Sequence, residues 1–286
     1  MNRRRWIRNV AGTTLLLMMT PNHFNRLFGA ENSVKSHNGK IETLSFGDIS
    51  ITWIRDNAKE GFMNNSLFGD FDQEILSRVS PDGKMPSTVS CYLLQTEGKN
   101  ILFDTGNGAE DSLLLKALES LSITPNDINA IFLTHLHGDH IGGLVKDGKP
   151  VFEKASVFIS SPEYDGWMNM EEERKNKTFA ILETYKNKIH LFNFSDTLPY
   201  GIVALDASGH TPGHTIYRIG NCMIVGDLLH AVALQLEYPD ACAAYDMDKE
   251  KAIGSRKKYL QYIKDENLVF AGMHFPSPVF REFEKA

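Results

Sequence analysis

The chain has 286 residues, 42% hydrophobic and 23% charged, which are ordinary globular values. That length suits one large α/β domain with a sizeable core, and it removes any need for disulfide staples. The formal charge is −6, and an acidic body argues against nucleic acid as a partner, because phosphate binding needs basic surface.

The N-terminus reads as an address. Arg3, Arg4, Arg5 and Arg8 make a basic start, residues 10–19 are apolar, and Pro21 follows. The apolar run falls short of the roughly 20 residues that span a bilayer. Asn2-Arg3-Arg4-Arg5-Trp6-Ile7-Arg8 resembles the twin-arginine export motif. Residues 1–30 are therefore expected to be an export signal. The mature protein is then periplasmic or exported, with no stable membrane association once the signal is removed. The competing reading is a basic tail on a cytoplasmic protein. Gly29 and Ala30 supply small residues for cleavage, although Phe28 is bulky there. Losing Arg3, Arg4, Arg5, Arg8 and Arg26 with the segment takes the charge from −6 to −11.

Residues 31–40 are a polar lead-in to the domain, which is expected over 31–286. Two β-like runs fill 41–54, separated by Gly47-Asp48. Residues 56–87 are rich in Asn, Gly, Asp and Pro and read as irregular, with exposed-looking Phe62, Leu67, Phe68 and Phe71. A β pair covers 88–104, turning at Glu97-Gly98-Lys99. Leu114, Leu118 and Leu121 share one side of a helix over 111–121. Strands follow at 130–134 and 153–160, then a charged helix over 163–185. Strands at 202–206, 215–219 and 222–225, a helix over 248–264 and a last strand at 268–271 complete the pattern. Strands and helices intermingle, so the chain reads as one α/β domain. Cys91, Cys222 and Cys242 are scattered and read as plain thiols, with one disulfide open to an exported chain.

The chemistry lies in Thr134-His135-Leu136-His137-Gly138-Asp139-His140, directly after an apolar strand. Residues at i and i+2 of an extended segment point the same way, so His135 and His137 can grip one metal ion. Gly138 permits a sharp turn, after which Asp139 and His140 face a second ion. Imidazole and carboxylate are natural ligands for zinc and similar ions.

This segment resembles the His-x-His-x-Asp-His signature of the metallo-β-lactamase-fold hydrolases. The resemblance continues in order through Phe103-Asp104-Thr105-Gly106, Gly209-His210-Thr211-Pro212-Gly213-His214, Ile224-Val225-Gly226-Asp227 and Gly272-Met273-His274-Phe275-Pro276. It implies a four-layer αββα sandwich with metals at one edge. It assigns His135, His137 and His214 to one metal, Asp139, His140 and His274 to another, and Asp227 as a bridge. His210 would be a neighbour without metal contact. Asp104 would accept a hydrogen bond from a ligand histidine, or be a plain turn residue. His230, three residues past Asp227, would bind substrate, donate a proton, or be structural.

The implied cofactors are two divalent ions, zinc first and iron or manganese as alternatives. The implied reaction is attack by a metal-bridging hydroxide on an ester, lactone or phosphotriester, with Asp139 as proton donor to the leaving group. The bridging aspartate resembles that of glyoxalase-II-like thioesterases, acyl-homoserine-lactone lactonases and methyl parathion hydrolase-like enzymes, and the run through Tyr245-Asp246, Arg256 and His274-Phe275-Pro276 most resembles the last of these. A glyoxalase-II-like thioesterase and an iron-dependent oxidoreductase or dioxygenase of the same fold are the alternatives. The partner is a small-molecule substrate, and a homodimer is compatible. Phe62, Phe68, Trp167 and Phe275 are the candidates for an apolar substrate wall, against plain core packing. Residues 56–75 offer only Lys59 among five acidic residues, which disfavours a glutathione conjugate.

Overall fold

The computed structural model describes residues 33–37 and 39–284, so the expected export segment lies outside the described residues. The larger sheet has eight strands, hydrogen-bonded in chain order: β1 (Ser33–His37), β2 (Ile41–Phe46), β3 (Ile49–Arg55), β4 (Ser90–Thr96), β5 (Lys99–Phe103), β6 (Ile128–Phe132), β7 (Ser156–Ser160) and β8 (Ile189–Phe192). The smaller sheet runs β9 (Val203–Asp206), β10 (Thr215–Ile219), β11 (Cys222–Ile224) and β12 (Val269–Ala271). The helices are α1 (Gln73–Val79), α2 (Leu114–Ser120), α3 (Gly138–Ile141), α4 (Ser161–Met168), α5 (Glu172–Glu183), α6 (Val232–Gln235) and α7 (Lys249–Asp265). None of the described helices is long and apolar enough to cross a membrane.

The apolar strands of the larger sheet are buried on both faces, as an alternating side-chain direction requires of near-continuous apolar runs. Tyr92, Leu94, Ile101, Phe103 and Phe132 point to one side and share a core with Tyr217, Met223 and Phe270 of the smaller sheet. Cys91, Leu93, Leu102 and Ile131 point to the other and meet Leu118 of α2, Trp167 of α4 and Leu182 of α5. Two sheets face to face with helices outside are the expected sandwich. Between the sheets Phe132 stacks on Phe158 at 4.4 Å and meets Tyr217 edge-on at 5.5 Å, while the Tyr217 hydroxyl donates to the Leu133 carbonyl at 2.7 Å.

Pairs β5–β6 and β11–β12 are each parallel, so their carboxyl ends open on one edge, where α/β sheets place ligand sites. Asp104, residues 134–140, Asp227 and His274 all follow those four ends.

Two expected elements differ. Residues 56–87 are structured: Gly61–Asn64 pairs with Lys84–Ser87, and α1 lies between. Asp72 caps α1 by accepting from the amides of Glu74 and Ile75, and Leu76 packs on Phe68, Met85 and Leu234. Many turn residues in the segment hid this. The long helix over 163–185 is two helices, broken at Asn169, whose side chain donates to the Asp165 carbonyl and closes α4. The three cysteines are free, Cys91 and Cys222 buried.

Phe132 joins both sheets just before the histidine loop. Phe132→Ala should cost about 3–5 kcal/mol, as for other buried aromatics. Chemical denaturation checks this, and a loss below about 1 kcal/mol would show that the aromatic bridge is not the main contact between the sheets.

Candidate metal centre

Loop 134–140 is fixed from outside. Asp104 follows β5 in a left-handed conformation (φ 57°), uncommon for a non-glycine residue and typical of functional sites. Its carboxylate accepts from the Thr134 amide (2.7 Å), the Thr134 hydroxyl (2.7 Å) and His140 Nδ1 (2.7 Å). Thr105 then donates twice to the His140 carbonyl. Asp104 therefore both shapes the loop and orients a histidine.

The same device recurs. His210 Nδ1 donates to Asp246 at 3.0 Å, and Asp246 is held by buried Arg256 at 3.0 Å. His274 Nδ1 donates to the Thr88 carbonyl at 2.6 Å. His135 Nδ1 lies 3.0 Å from the Thr134 hydroxyl, whose hydrogen is committed to Asp104, so the ring nitrogen is the donor. Assigned from this network, Nδ1 is the outward donor of His135, His140, His210 and His274, so their Nε2 atoms all turn inward.

They converge. His135 Nε2, His137 Nδ1 and His210 Nε2 lie 2.9–3.3 Å from one another. Asp139, His140 and His274 form a neighbouring group. Asp227 lies between: Oδ2 is 3.4 Å from His210 and 3.0 Å from His274, and Oδ1 is 3.3 Å from His140. His140 Nε2 and Asp227 Oδ1 are buried with no hydrogen-bond partner. Burial works against a charged His274, yet Asp227 and Asp139 lift it to about 9. Burial holds His137 down at about 3. Lone pairs aimed at one another and at a buried carboxylate are reconciled only by positive charge. Divalent cations fit this donor set of imidazoles and carboxylates.

One expected ligand is displaced. His214 was assigned to the first group, but its Nδ1 donates to the Ala207 carbonyl at 3.3 Å and its Nε2 accepts the Asp227 amide at 2.9 Å. Both nitrogens are occupied, and His210 stands in its place. Gly226 makes this geometry accessible: it has φ +54°, and a Cβ there would collide with the His214 ring. His135, His137, His140, Asp227 and His274 are brought together as expected, with Asp139 at their edge.

Glu163 was missed, because an acidic residue in a helix's first turn reads as a dipole effect. It is fully buried. One oxygen accepts from the Leu136 amide (2.9 Å) and Trp167 Nε1 (2.7 Å), the other from the Thr211 hydroxyl (2.7 Å) and the Gly213 amide (2.8 Å). It ties the two histidine loops to α4.

Over the site lies a cleft of about 640 Å³ whose apolar wall is Phe62, Met63, Leu67 and Val89, with His137, Asp139, His210, Asp227 and His274 at its base. Phe62 is 54% exposed there. The other expected wall residues part ways. Phe68 is fully buried against Leu76 and Met85, because α1 folds over it. Phe275 is fully buried against Phe270. Trp167 is nearly buried, its ring edge-on to His137 at 5.7 Å, and it lines a second cleft. His230 lines neither cleft: it is buried behind Asp227, 3.4 Å from Oδ2 and stacked on His274.

Comparison with known proteins agrees with the fold. The family model described as metallo-beta-lactamase superfamily matches residues 85–274. The N-acyl homoserine lactonase of Bacillus thuringiensis is 26% identical over 227 residues, covering 69% of this chain and 86% of that protein. The structure of AidC, described as a dizinc quorum-quenching lactonase in complex with a product, is 28% identical with a TM-score of 0.76, over 86% of this chain and 98% of that one. The hydrolase AbOPH, 24% identical with a TM-score of 0.77 over 88% of this chain and 95% of that one, shares the fold.

Three substitutions probe the geometry. His210→Ala should raise the zinc dissociation constant far more than His214→Ala in a chelator competition; the reverse order would return His214 to the ligand set. Glu163→Gln turns an amide N–H toward two of the four donors. It should cost about 1–3 kcal/mol in denaturation and weaken zinc binding by about tenfold or more. Unchanged zinc affinity would confine Glu163 to a packing role.

Proposed function

The chain belongs to the metallo-beta-lactamase superfamily, and on that premise we propose that it is a two-zinc lactonase whose substrate carries an apolar arm. That it is a metal-dependent hydrolase follows from the family and from its lactonase relatives. The observation that carries the finer reading is Asp227, with one histidine-rich group on each side of it. The lactone is favoured over other esters because lactonases match across most of their own lengths. The cleft beside Phe62, Met63 and Leu67 suits an acyl chain, as in an N-acyl homoserine lactone.

In this reading His135, His137 and His210 would hold one ion and Asp139, His140 and His274 the other, with Asp227 placed between the two groups. When bound, such ions polarise the scissile carbonyl and lower the pKa of the attacking water. The chain's own residues supply the rest. Asp104, Asp246, Thr134 and the Thr88 carbonyl keep the imidazoles in one tautomer, so no proton is lost to the wrong nitrogen. Asp139 is the proton carrier we assign: its side chain is 37% exposed to the cleft, whereas Asp104 and Asp227 are sealed. Its carboxylate takes the proton released by the attacking water and returns it to the leaving alkoxide, giving a hydroxy acid. The apolar wall aligns the acyl arm and displaces water from it.

Elemental analysis of purified protein should find about two zinc ions per chain, and chelation should abolish hydrolysis reversibly. Against a panel of lactones, aryl esters and a phosphotriester, a long-chain N-acyl homoserine lactone should be the best substrate. Phe62→Ala should lower its kcat/KM about tenfold while leaving a short-chain lactone nearly unaffected, the worth of one half-exposed apolar contact. A single iron per chain, or a phosphotriester outrunning every lactone, would overturn the assignment.

A further inference from the structure

The centre opens on a second side. A cleft of about 630 Å³, nearly the size of the first, shares His137, Gly138 and Tyr245 with it. Its walls are apolar where Ile141, Trp167, Ile181 and Met247 meet, and its rim carries Arg174 and Lys177 of α5. The contrast with the first cleft is one of charge: among the described residues no lysine or arginine lines that one. Among the described residues Asp246 is the one carboxylate in the second lining. It is buried and already accepts from His210 and Arg256, so it offers little to a cation at the rim. Lys177 also reaches Glu173, one turn back, at 3.0 Å. Arg174 has no carboxylate within salt-bridge distance among the described residues.

We propose that this second cleft is a subsite for an anionic arm of the substrate, an oxyanion on a short apolar or aromatic stem. The guanidinium of Arg174 offers the planar fork that binds carboxylate, sulfonate or phosphate oxygens in pairs, and Lys177 adds a point charge beside it. The stem lies along Met247, which is 38% exposed and polarisable enough to accept a ring, with the edge of Trp167 beneath it. Trp167 cannot swing away, because its indole N–H is tied to Glu163 at 2.7 Å. In a chain of net charge −6 a local pair of cations is also what lets an anion approach at all. The substrate is then two-armed: its scissile carbonyl lies over Asp227, one apolar arm runs past Phe62, and one anionic arm runs past Trp167. This rests on the hydrolase assignment alone: the preferred substrate is a lactone or ester that carries an anionic group, which a neutral N-acyl homoserine lactone lacks, so the latter fills only the first cleft.

The test uses the full-length, zinc-loaded protein and two probes that differ in one group, 2-naphthalenesulfonate and 2-naphthalenemethanol. A sulfonate is chosen because it is a weak metal ligand. Dissociation constants are measured by titration calorimetry for the wild type and for Arg174→Gln/Lys177→Gln, both changes lying on an exposed helix face. The ratio of sulfonate to alcohol affinity should fall about tenfold in the variant, the worth of one charge-assisted hydrogen bond at a partly exposed site. The sulfonate should also inhibit lactone turnover by the wild type, since the cleft shares His137 with the centre. An unchanged affinity ratio overturns the subsite, as does a sulfonate that binds without inhibiting. If the wild type hydrolyses no lactone or ester, the hydrolase assignment falls by itself, because the affinity ratio reads the cleft without any turnover.

Discussion

Asp227 sits at the junction of the two sheets with five imidazoles around it. Nitrogens of His135, His210, His230 and His274 lie 3.0–3.7 Å from one of its oxygens, and His140 lies 3.3 Å from the other. A carboxylate this deeply buried is costly unless charge of the opposite sign reaches it. Burial alone would push it toward the neutral acid, yet His274, His140 and His135 hold it well below the usual carboxylate range. The surrounding structure can be understood as the means of keeping that charge where it is. The parallel strands β5–β6 and β11–β12 deliver their carboxyl ends to one edge. Gly226 lets the chain turn so that the Asp227 amide is taken by His214 while its carboxylate faces the histidines.

Around this centre lies a ring of acceptors behind the histidines. Asp104, Asp246 and the Thr88 carbonyl each take the outward N–H of one imidazole. Glu163 and Arg256 do for the loops what those acceptors do for the rings. Arg256 is almost fully buried and donates to the carbonyls of Leu228, Pro239 and Ala241 besides Asp246, so its charge is shared among four acceptors. Such groups weaken the fold when taken singly, since a hydrophobic residue of the same size would bury more cheaply. What they supply is position: an imidazole free to rotate presents its lone pair to the right place only part of the time.

The sequence carried much of this arrangement. The strand followed by His-x-His-x-Asp-His is local, and residues at i and i+2 share a face whatever the rest of the chain does. Asp227 and His274 are legible only through the family resemblance, which places each just after an apolar strand. The limits lie where the answer depends on a distant neighbour. His210 and His214 are four apart in one glycine- and proline-rich loop, and either could turn inward. What decides is Gly226, in the turn after β11, whose missing Cβ leaves room for the His214 ring. Glu163 belongs to the same category, since its four donors come from three separate segments. Phe68 and Phe275 looked like a substrate wall in a loop and at a strand end. The turn-rich stretch before β4 hid the cap at Asp72, so the helix that buries Phe68 was not foreseen.

The outer ring also bears on how the protein assembles. His135, His137 and His140 come from the larger sheet, while His210, Asp227 and His274 come from the smaller one, and the bonds that align them cross between the sheets. The Thr215 amide donates to the Thr134 carbonyl at 2.8 Å, and the Thr88 amide to the His274 carbonyl at 3.2 Å. Neither half can hold a complete donor set alone. Docking of the sheets brings five imidazoles and the Asp227 carboxylate into one place, which opposes the closure that the aromatic contacts between Phe132 and Tyr217 drive. Hydrophobic burial is strong enough to close the interface but is blind to the polar conflict at its edge. Cations that bind only the closed form remove that conflict and add their binding free energy to folding. The candidate metal centre therefore lies on the seam between the two sheets, and the residues that would hold the ions are also the ones through which the sheets meet at that edge.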